Sequence, residues 1–413
     1  MVSRASGPPG VVRVALTDFR WPLDPALAAG RDETTLARAL YSTPLRTDPG
    51  TGAVVPGLCS AWAASDDFRT WTFTCRGAAA IAATLRRVQR LRAAPERWLF
   101  AGAQVAAPSA NRLVVRLPFS WRRFPYALTT VASAPRFVPG PFRLLTGSVN
   151  RVVVRSATLT VVFRRYSARG AERAFERGEV DEAPVPLGDI AATRTRLGDV
   201  VHSRTLLGVD GVVFRKLIPS LRRVYWQTAD RSDYAQLVPE SSGAAALSVV
   251  ATSQKATPRA YRNAVKAIAK LPRLQVRIGV PSDPVLRYGA RLLYAQWRDV
   301  GLGPRLVSEP VPADGSFARW LAAYPQAEAL PAELGLHGGI GSRSLLLRAL
   351  AESDQGAALA AFDGDLRASA SFVPVSWVVD ARLVSPRLHG WREDAVGDVD
   401  YSTVTSLASS RSP

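Results

Sequence analysis

The residues of this chain that could carry out chemistry are few, and their spacing does not assemble a catalytic site. The histidines His202, His337 and His389 are scattered and match no zinc-binding pattern. The acidic pairs Asp66–Asp67 and Asp363–Asp365 fall in turn-like segments, where carboxylates usually bond to their own backbone. No nucleophile has a base and an orienting group at motif spacing, so we predict that the chain is not an enzyme and expect no metal or cofactor.

The glycine-rich segment 336–342, LHGGIGS, superficially resembles an oxyanion loop. However, the chain has no G-x-S-x-G elbow, and none of its histidines has a motif-placed partner. A Walker-type loop and a G-x-G-x-x-G motif opening a helix are also missing, so nucleotide binding has no support. We therefore interpret the segment as a plain loop.

The only two cysteines, Cys59 and Cys75, lie on either side of a turn. Two unrelated buried thiols are expected in a cytosolic protein, whereas a disulfide is expected if the protein is exported, and the sequence leaves both open. The amino-terminal segment 1–10, MVSRASGPPG, has neither an apolar core nor a cleavage signal. As written, it predicts no secretory signal.

The composition indicates a globular protein with an unusual basic excess. A chain of 413 residues with 47% apolar and 21% charged residues is expected to fold into two or three lobes. Its net charge of +19 comes mainly from arginine, because lysine occurs only at Lys216, Lys255, Lys266 and Lys270. Arginines spread over the whole chain point to the actinobacterial-like composition of a GC-rich genome. A nucleic-acid binder would concentrate its charge on one face, so we do not expect one.

The hydrophobic periodicity predicts an α/β protein. Strands are expected at 11–16 and 70–76, and a long helix at 218–238. Between 274 and 307 an alternating strand, a helix begun by Ser-Asp-Pro and a second strand predict a parallel strand pair. The segment 240–260 is small and polar, and we interpret it as a long exposed loop.

A series of short motifs, in order, resembles the bacterial extracellular solute-binding proteins of the oligopeptide/dipeptide/nickel class, the receptor subunits of peptide ABC importers. In the first part of the chain these motifs are Leu23-Asp24-Pro25, Leu40-Tyr41, Val55-Pro56-Gly57-Leu58 with Trp62, Ser65-Asp66-Asp67 and Trp71-Thr72-Phe73. Further along they are Gly140-Pro141-Phe142-Arg143, GEVDEAPVP at 178–186, LRRVYWQTADRSDY at 221–234, WRDVGL at 297–302 and SPRLHGW at 385–391. Each motif alone is weak, but their shared order spans nearly the whole chain.

The resemblance implies a two-lobed, periplasmic-binding-protein-like fold of type II, with an extra subdomain in the first lobe that is shortened here. By analogy, residues 11–40, 140–215 and 375–413 form lobe I, residues 41–139 the subdomain appended to it, and residues 216–374 lobe II. Ligand binding would close the lobes by a hinge motion at the two crossovers.

The resemblance also implies a function. The protein would capture a peptide or similar small solute between its lobes and deliver it to the permease subunits of an ABC importer. We expect an extracytoplasmic monomer that reaches the membrane only through the transporter or through a lipid anchor absent from the given sequence. The ligand is expected to meet Trp21, Tyr41, Trp320, Tyr324, His337 and Arg343.

The chain departs from the family pattern at two places. The segment 77–88, GAAAIAATLRRV, lacks the acidic and Gly-Thr signals of the family. The segment 338–350 offers Arg343 and no carboxylate, so an anionic or neutral ligand suits it better than a cationic peptide terminus. The alternative is a degenerate or regulatory ligand-sensing module that kept the scaffold and lost transport.

Overall fold

The computed structural model describes residues 10–132, 140–238, 244–250, 258–269 and 275–407. The names lobe I, subdomain and lobe II are used below for the residue ranges given above, and these boundaries remain predictions. The prediction of an exposed loop at 240–260 is wrong where the structure describes it, because Ala246, Ser248 and Val249 are buried and a helix begins at Pro258. Residues 240–243, 251–257 and the predicted start of the strand at 274 lie outside the described residues.

The strands form one large sheet and three small ones. In chain order the strands are β1 Val11–Leu16, β2 Leu45–Thr47, β3 Val54–Pro56, β4 Cys59–Ala64, β5 Thr70–Cys75, β6 Gln104–Ser109, β7 Arg112–Arg116, β8 Arg143–Gly147, β9 Arg151–Arg155, β10 Thr160–Arg165, β11 Glu182–Pro184, β12 Val201–Phe214, β13 Arg277–Val280, β14 Arg305–Ser308, β15 Gly315–Leu321, β16 Phe372–Val384, β17 Leu388–His389 and β18 Thr405–Ser406. The large sheet has the order β14-β13-β15-β12-β16-β11-β1-β10-β9-β8, and the subdomain has its own four-stranded sheet, β4-β5-β7-β6.

The helices cover the faces of these sheets. They are α1 Gly30–Leu40, α2 Ala78–Arg90, α3 Ala127–Thr130, α4 Ala168–Glu176, α5 Ile190–Leu197, α6 Pro219–Thr228, α7 Arg231–Leu237, α8 Pro258–Ile268, α9 Pro284–Asp299, α10 Ala329–Ala332, α11 Arg343–Ala351 and α12 Gly356–Ser369. A short 3₁₀ helix at Pro95–Phe100 and a π-helical turn at Glu333–His337 matter for the site. In the part of the chain that is described, no helix is both long enough and apolar enough to cross a membrane.

The two longest strands connect the lobes. β12 and β16 are antiparallel neighbours at the centre of the large sheet; β12 runs from lobe I towards lobe II, and β16 runs back from lobe II into lobe I. Their register shifts between Thr205 and Val209, so the ladder is interrupted near the crossover. The lobes are therefore joined by continuous backbone, and relative motion must occur at these two strands.

The predicted strand–helix–strand unit is confirmed. β13 pairs in parallel with β14, and α9 connects them. Asp283 caps α9 by accepting the backbone N–H of Leu286 at 2.8 Å, and Gly301 ends the unit's helix with a positive φ of 90°. The prediction of one long helix at 218–238 is wrong in one respect, because the segment forms two helices, α6 and α7. Asp230 accepts the N–H of Asp233 and begins α7 as a new helix.

The subdomain and lobe II share one hydrophobic core. The cluster includes Phe73 and Phe100 around the small sheet, and Tyr324 and Phe362 from lobe II, all less than 2% exposed. Lobe I has a separate cluster between the β1 side of the large sheet and α1. The subdomain therefore packs against lobe II, although the polypeptide connects it to lobe I.

Candidate functional site

The face of α1 that is not fully buried leads to a cavity. Arg31, Thr34 and Arg38 lie on this face at helical spacing and retain some solvent exposure, and Tyr41 follows directly after the helix. Tyr41 lines a cavity of about 260 Å³ between α1 and the β2–β3 hairpin. Its hydroxyl donates to the carbonyl oxygen of Leu23 at 3.1 Å, which fixes the ring at the cavity wall.

The cavity at Tyr41 is positively charged. Arg38, Arg46 and Arg76 line it, and Asp400 is the only carboxylate among the lining residues that the structure describes. Arg38 also pairs with Asp398 at 2.5 Å, whereas Arg46 and Arg76 are exposed side chains. Two guanidinium groups with solvent access favour a ligand that carries a carboxylate or another anionic group here.

A second set of side chains meets where the subdomain touches lobe II. Trp98 of the 3₁₀ helix lies parallel to the ring of His337, with an interplanar angle of 5° and centroids 6.4 Å apart. The same imidazole meets Trp320 of β15 edge to face at 6.2 Å, and its Nδ1 lies 2.6 Å from Glu333. His337 is therefore held between two tryptophans and one carboxylate.

Next to these side chains, Tyr324 is buried between lobe II and the subdomain. Its ring is 1% exposed, with its centroid 5.6 Å from Tyr126 and 6.4 Å from Trp121, both in the subdomain. Arg123 lies alongside and pairs with the buried carboxylate of Glu328 at 3.2 Å. Aromatic packing and one ion pair thus fill the space between the subdomain and this part of lobe II.

Solved structures match the chain along almost its whole length. The murein tripeptide binding protein MppA of Escherichia coli is 18% identical, with a TM-score of 0.79 over 97% of this chain and 99% of that chain. OppA of Haemophilus influenzae, solved with the peptide RPPGFSPFR, is 15% identical, with a TM-score of 0.78 over 97% and 100%. A dipeptide binding protein of Pseudoalteromonas sp. SM9913, solved with Met-Leu, is 12% identical, with a TM-score of 0.78 over 96% and 100%.

The chain has the two-lobed fold of the periplasmic binding proteins. The resemblance seen in the motifs is thereby confirmed at the level of the fold. No protein-family model matches the sequence, and no curated protein matches it.

Of the six residues predicted to meet ligand, only Tyr41 lines a described cavity, and the ligand contacts of all six stay predictions. Trp21 packs against strand β8, where a Cβ placed on Gly147 would come within 2.0 Å of the indole ring. Arg343 is exposed at the first position of α11 and is not a lining residue of any described cavity. Tyr41 lines the cavity, and Trp320, Tyr324 and His337 meet at the boundary with the subdomain.

Burial and hydrogen bonding shift the pKa values of Glu96, Glu333 and His337, which lie where the subdomain meets lobe II. Burial, with a smaller contribution from the negative charge of Glu333, raises the pKa of Glu96 to about 8. Burial also raises the pKa of Glu333, although hydrogen bonds from His337 and Trp98 oppose this effect. The hydrogen bond to Glu333 raises the pKa of His337, and burial of the imidazole opposes this effect.

The sequence did not identify several residues of this region. Glu96 and Trp98 lie in the segment 95–100, PERWLF, which has no helical or strand periodicity, and its only signal is a proline before two aromatic residues. Nothing in the spacing of Arg38 along the sequence indicates that it faces a cavity. Among the described residues, no group of three or more His, Cys, Asp and Glu side chains could hold a metal ion.

Proposed function

We propose that the protein captures a peptide or similar small solute between its lobes and delivers it to the permease subunits of an ABC importer, without chemistry of its own. The observation that carries this proposal is the fold, which the chain shares over almost its whole length with solved peptide-binding proteins. The cavity at Tyr41, lined by residues of lobe I and the subdomain, offers a place for one end of such a ligand. MppA, OppA and the dipeptide binding protein bind peptides by their own descriptions.

The charges around α1 suit a ligand with an anionic group. The arginines Arg38, Arg46 and Arg76 would receive a peptide carboxylate at the cavity wall. Arg38 also lies close enough to Glu96 for its positive charge to oppose the rise in the carboxyl pKa. Glu96 itself stays mostly protonated at pH 7, because its pKa is raised to about 8, so the arginines supply the charge that a ligand would meet there.

We further propose an extracytoplasmic location and a monomeric state. A disulfide joins Cys59 and Cys75, and such bonds persist mainly in oxidising compartments. The cited solved structures include proteins described as periplasmic. These observations support work in the cell envelope, next to a transporter.

A thermal-shift screen with di- to pentapeptides tests the solute-binding role. Saturating peptide is expected to raise the melting temperature, because only the folded state binds it. Arg76→Gln should weaken binding by roughly tenfold, because it removes a charged hydrogen-bond donor from the cavity. The matched control is Arg112→Gln, an exposed arginine of the same small sheet outside the cavity lining, which should bind as the wild type does. A flat response to every peptide would count against this function.

A second function is favoured by Tyr324. Its ring fills the boundary between lobe II and the subdomain, as expected if the scaffold now senses a ligand or has degenerated and no longer transports one. Uptake in a strain lacking the protein distinguishes the two functions. Loss of uptake of the bound solute supports the importer role, whereas unchanged uptake with intact binding supports the regulatory role.

A further inference from the structure

A separate polar cavity of about 530 Å³ lies at the end of β12, far from the lobe crossover. It is bordered by α6, the end of α12 and the loop 339–342, and it shares no lining residue with the cavity at Tyr41. Five residues of extended strand, from Gly208 to Val212, separate its first lining residue, Val213, from the interrupted part of the β12–β16 ladder, which corresponds to about 16 Å. A ligand in this cavity would therefore not be one held beside α1.

Two arginines give this cavity a positive charge. Arg215 donates one Nη1–H to the carbonyl oxygen of Gly338 at 3.0 Å, and Arg222 has a buried Nε without a hydrogen-bond partner among the described residues. Neither guanidinium lies within ion-pairing distance of a carboxylate in the part of the chain that is described. Asp365, the one acidic lining residue, accepts the backbone N–H of Ser342 at 2.8 Å. Both positive charges therefore remain available to a ligand.

Hydroxyl groups add neutral donors around the same space. The Oγ atoms of Ser369 and Ser371 are 2.9 Å apart, and both residues line the cavity together with Ser342. Each hydroxyl carries one proton that can rotate towards an acceptor. The cavity therefore combines two guanidinium groups with three hydroxyl groups, a donor set that fits an oxyanion with several acceptor oxygens.

At Gly339 and Gly341 the glycine-rich loop brings bare backbone to the cavity wall, next to the side chains of Ile340 and Ser342. Gly339 and Gly341 have φ values of +65° and +78°, which favour glycine. A Cβ on Gly341 would also come within 2.7 Å of Leu366 Cδ2, so a larger residue would not fit there. Because of these constraints, the loop presents bare backbone to the cavity at these two positions, which the sequence interpretation as a plain loop did not anticipate.

We propose that this cavity binds a phosphate group, either free or carried by a small molecule. Phosphate offers the several acceptor oxygens and the negative charge that Arg215, Arg222 and the serine hydroxyls can satisfy together. A volume of about 530 Å³ falls within the range of small-molecule pockets, roughly 300–1,000 Å³. There is thus room for an organic body attached to the phosphate, and Asp365 is placed to accept hydroxyl groups of that body.

Isothermal titration at constant ionic strength tests the proposal with three probes: inorganic phosphate, glycerol 3-phosphate and succinate. Both phosphates are expected to bind at least about tenfold more tightly than succinate, because a carboxylate has fewer acceptor oxygens for the same donors. Tighter binding of glycerol 3-phosphate than of inorganic phosphate identifies a phosphorylated molecule as the ligand, and equal binding identifies free phosphate. Succinate binding as tightly as the phosphates, or no binding of either phosphate, would overturn the proposal.

Two neighbouring arginines provide a matched pair of variants. Arg222→Gln should weaken phosphate binding by roughly tenfold or more, because it removes a charged donor from the cavity. Arg223→Gln makes the same charge change one position along α6, on an exposed side chain outside the cavity lining, and should change the affinity less than about twofold. Equal losses in the two variants would show that general charge, and not this cavity, attracts phosphate.

A measurement on the wild-type protein covers the case in which Arg222→Gln does not fold. Phosphate titrated into isotopically labelled protein should shift the backbone amide signals of Gly339 and Gly341, which border the cavity. Amide shifts confined to other parts of the chain would contradict the assignment.

Discussion

Tyr126 of the subdomain and Tyr324 of lobe II stack with their ring centroids 5.6 Å apart and their planes 21° apart. Trp121 packs against the same Tyr324 ring from the subdomain side. Because Tyr324 is 1% exposed, this stack is part of a continuous core and not a loose surface contact. Any movement of lobe II away from the subdomain must therefore expose these aromatic faces to water.

Removing the Tyr324 ring should strongly destabilise the protein. Tyr324→Ala leaves a cavity between the subdomain and lobe II and is expected to lower the free energy of unfolding by about 3–5 kcal/mol. Chemical denaturation measures this change. Tyr288→Ala removes the same ring from the exposed face of α9, where Tyr288 is 52% exposed, and should cost less than about 0.5 kcal/mol. Similar losses in the two variants would mean that the boundary is not closed in solution.

The raised pKa values of Glu96 and Glu333, which lie where the subdomain meets lobe II, predict that the free energy of unfolding falls as the pH rises. Burial raises the pKa of Glu96 from 4.5 to about 8, so between these values the folded protein binds a proton that the unfolded chain has released. Stability is then greatest below about pH 4.5 for this group and decreases up to pH 8, by at most about 1.4 kcal/mol per pH unit. The raised pKa values of Glu333 and His337 act in the same direction.

Glu96→Gln tests the contribution of that one group. The amide does not titrate, so the variant should show a shallower fall in the free energy of unfolding between pH 5 and pH 8 than the wild type. Denaturant melts at several pH values give both slopes. Parallel pH profiles for the two proteins would show that Glu96 is not buried in its acid form.

Local signals made much of the secondary structure predictable. The strand β13 and the helix α9 were predicted because their signals are local in the sequence. These signals are the alternating apolar residues of the strand, the Asp that caps the helix and the Gly that ends it. The break between α6 and α7 was not predicted, although Asp230 offers a cap signal, because the apolar spacing continues across it.

The site was less predictable because its contacts join segments far apart in the chain. The residues near Trp98 in the sequence do not indicate that the ring of His337 lies parallel to its indole. Likewise, the residues near Arg38 do not indicate that its positive charge lowers the pKa of Glu96. The motifs that identified the fold have a structural role instead. Asp181 of the 178–186 motif pairs with Arg387 of the 385–391 motif at 3.1 Å, and both side chains are buried.

Loss of the disulfide should weaken the subdomain. Cys59 and Cys75 are cross-strand partners on β4 and β5, 16 residues apart, and form a disulfide. Replacing both with alanine is expected to lower the free energy of unfolding by about 2–4 kcal/mol, because the unfolded chain regains freedom. Thiol titration of the unreduced protein in denaturant should find no free cysteine. Two titratable thiols in protein purified from the cell envelope would show that the bond does not form there.

A buried arginine near the crossover provides the last prediction. Arg382 of β16 is 2% exposed and lies within 4.0 Å of carboxylate oxygens of Asp32, Glu182 and Asp380. Glu182 is held in turn by the hydroxyl of Tyr401 at 2.6 Å. The guanidinium is therefore the positive charge that α1, β11 and β16 share in the core of lobe I.

Removing this charge leaves the buried carboxylates of Asp32 and Glu182 without a cationic partner, whereas Asp380 keeps its ion pair with Arg31. Arg382→Met keeps much of the side-chain volume and is expected to lower the free energy of unfolding by about 3–5 kcal/mol. Arg305→Met, on an exposed position of the edge strand β14, should change it by less than about 0.5 kcal/mol. Urea denaturation of both variants measures the difference. Wild-type stability in Arg382→Met would mean that the surrounding carboxyl groups are neutral in the folded protein, because only uncharged acids could lose their shared cation without cost.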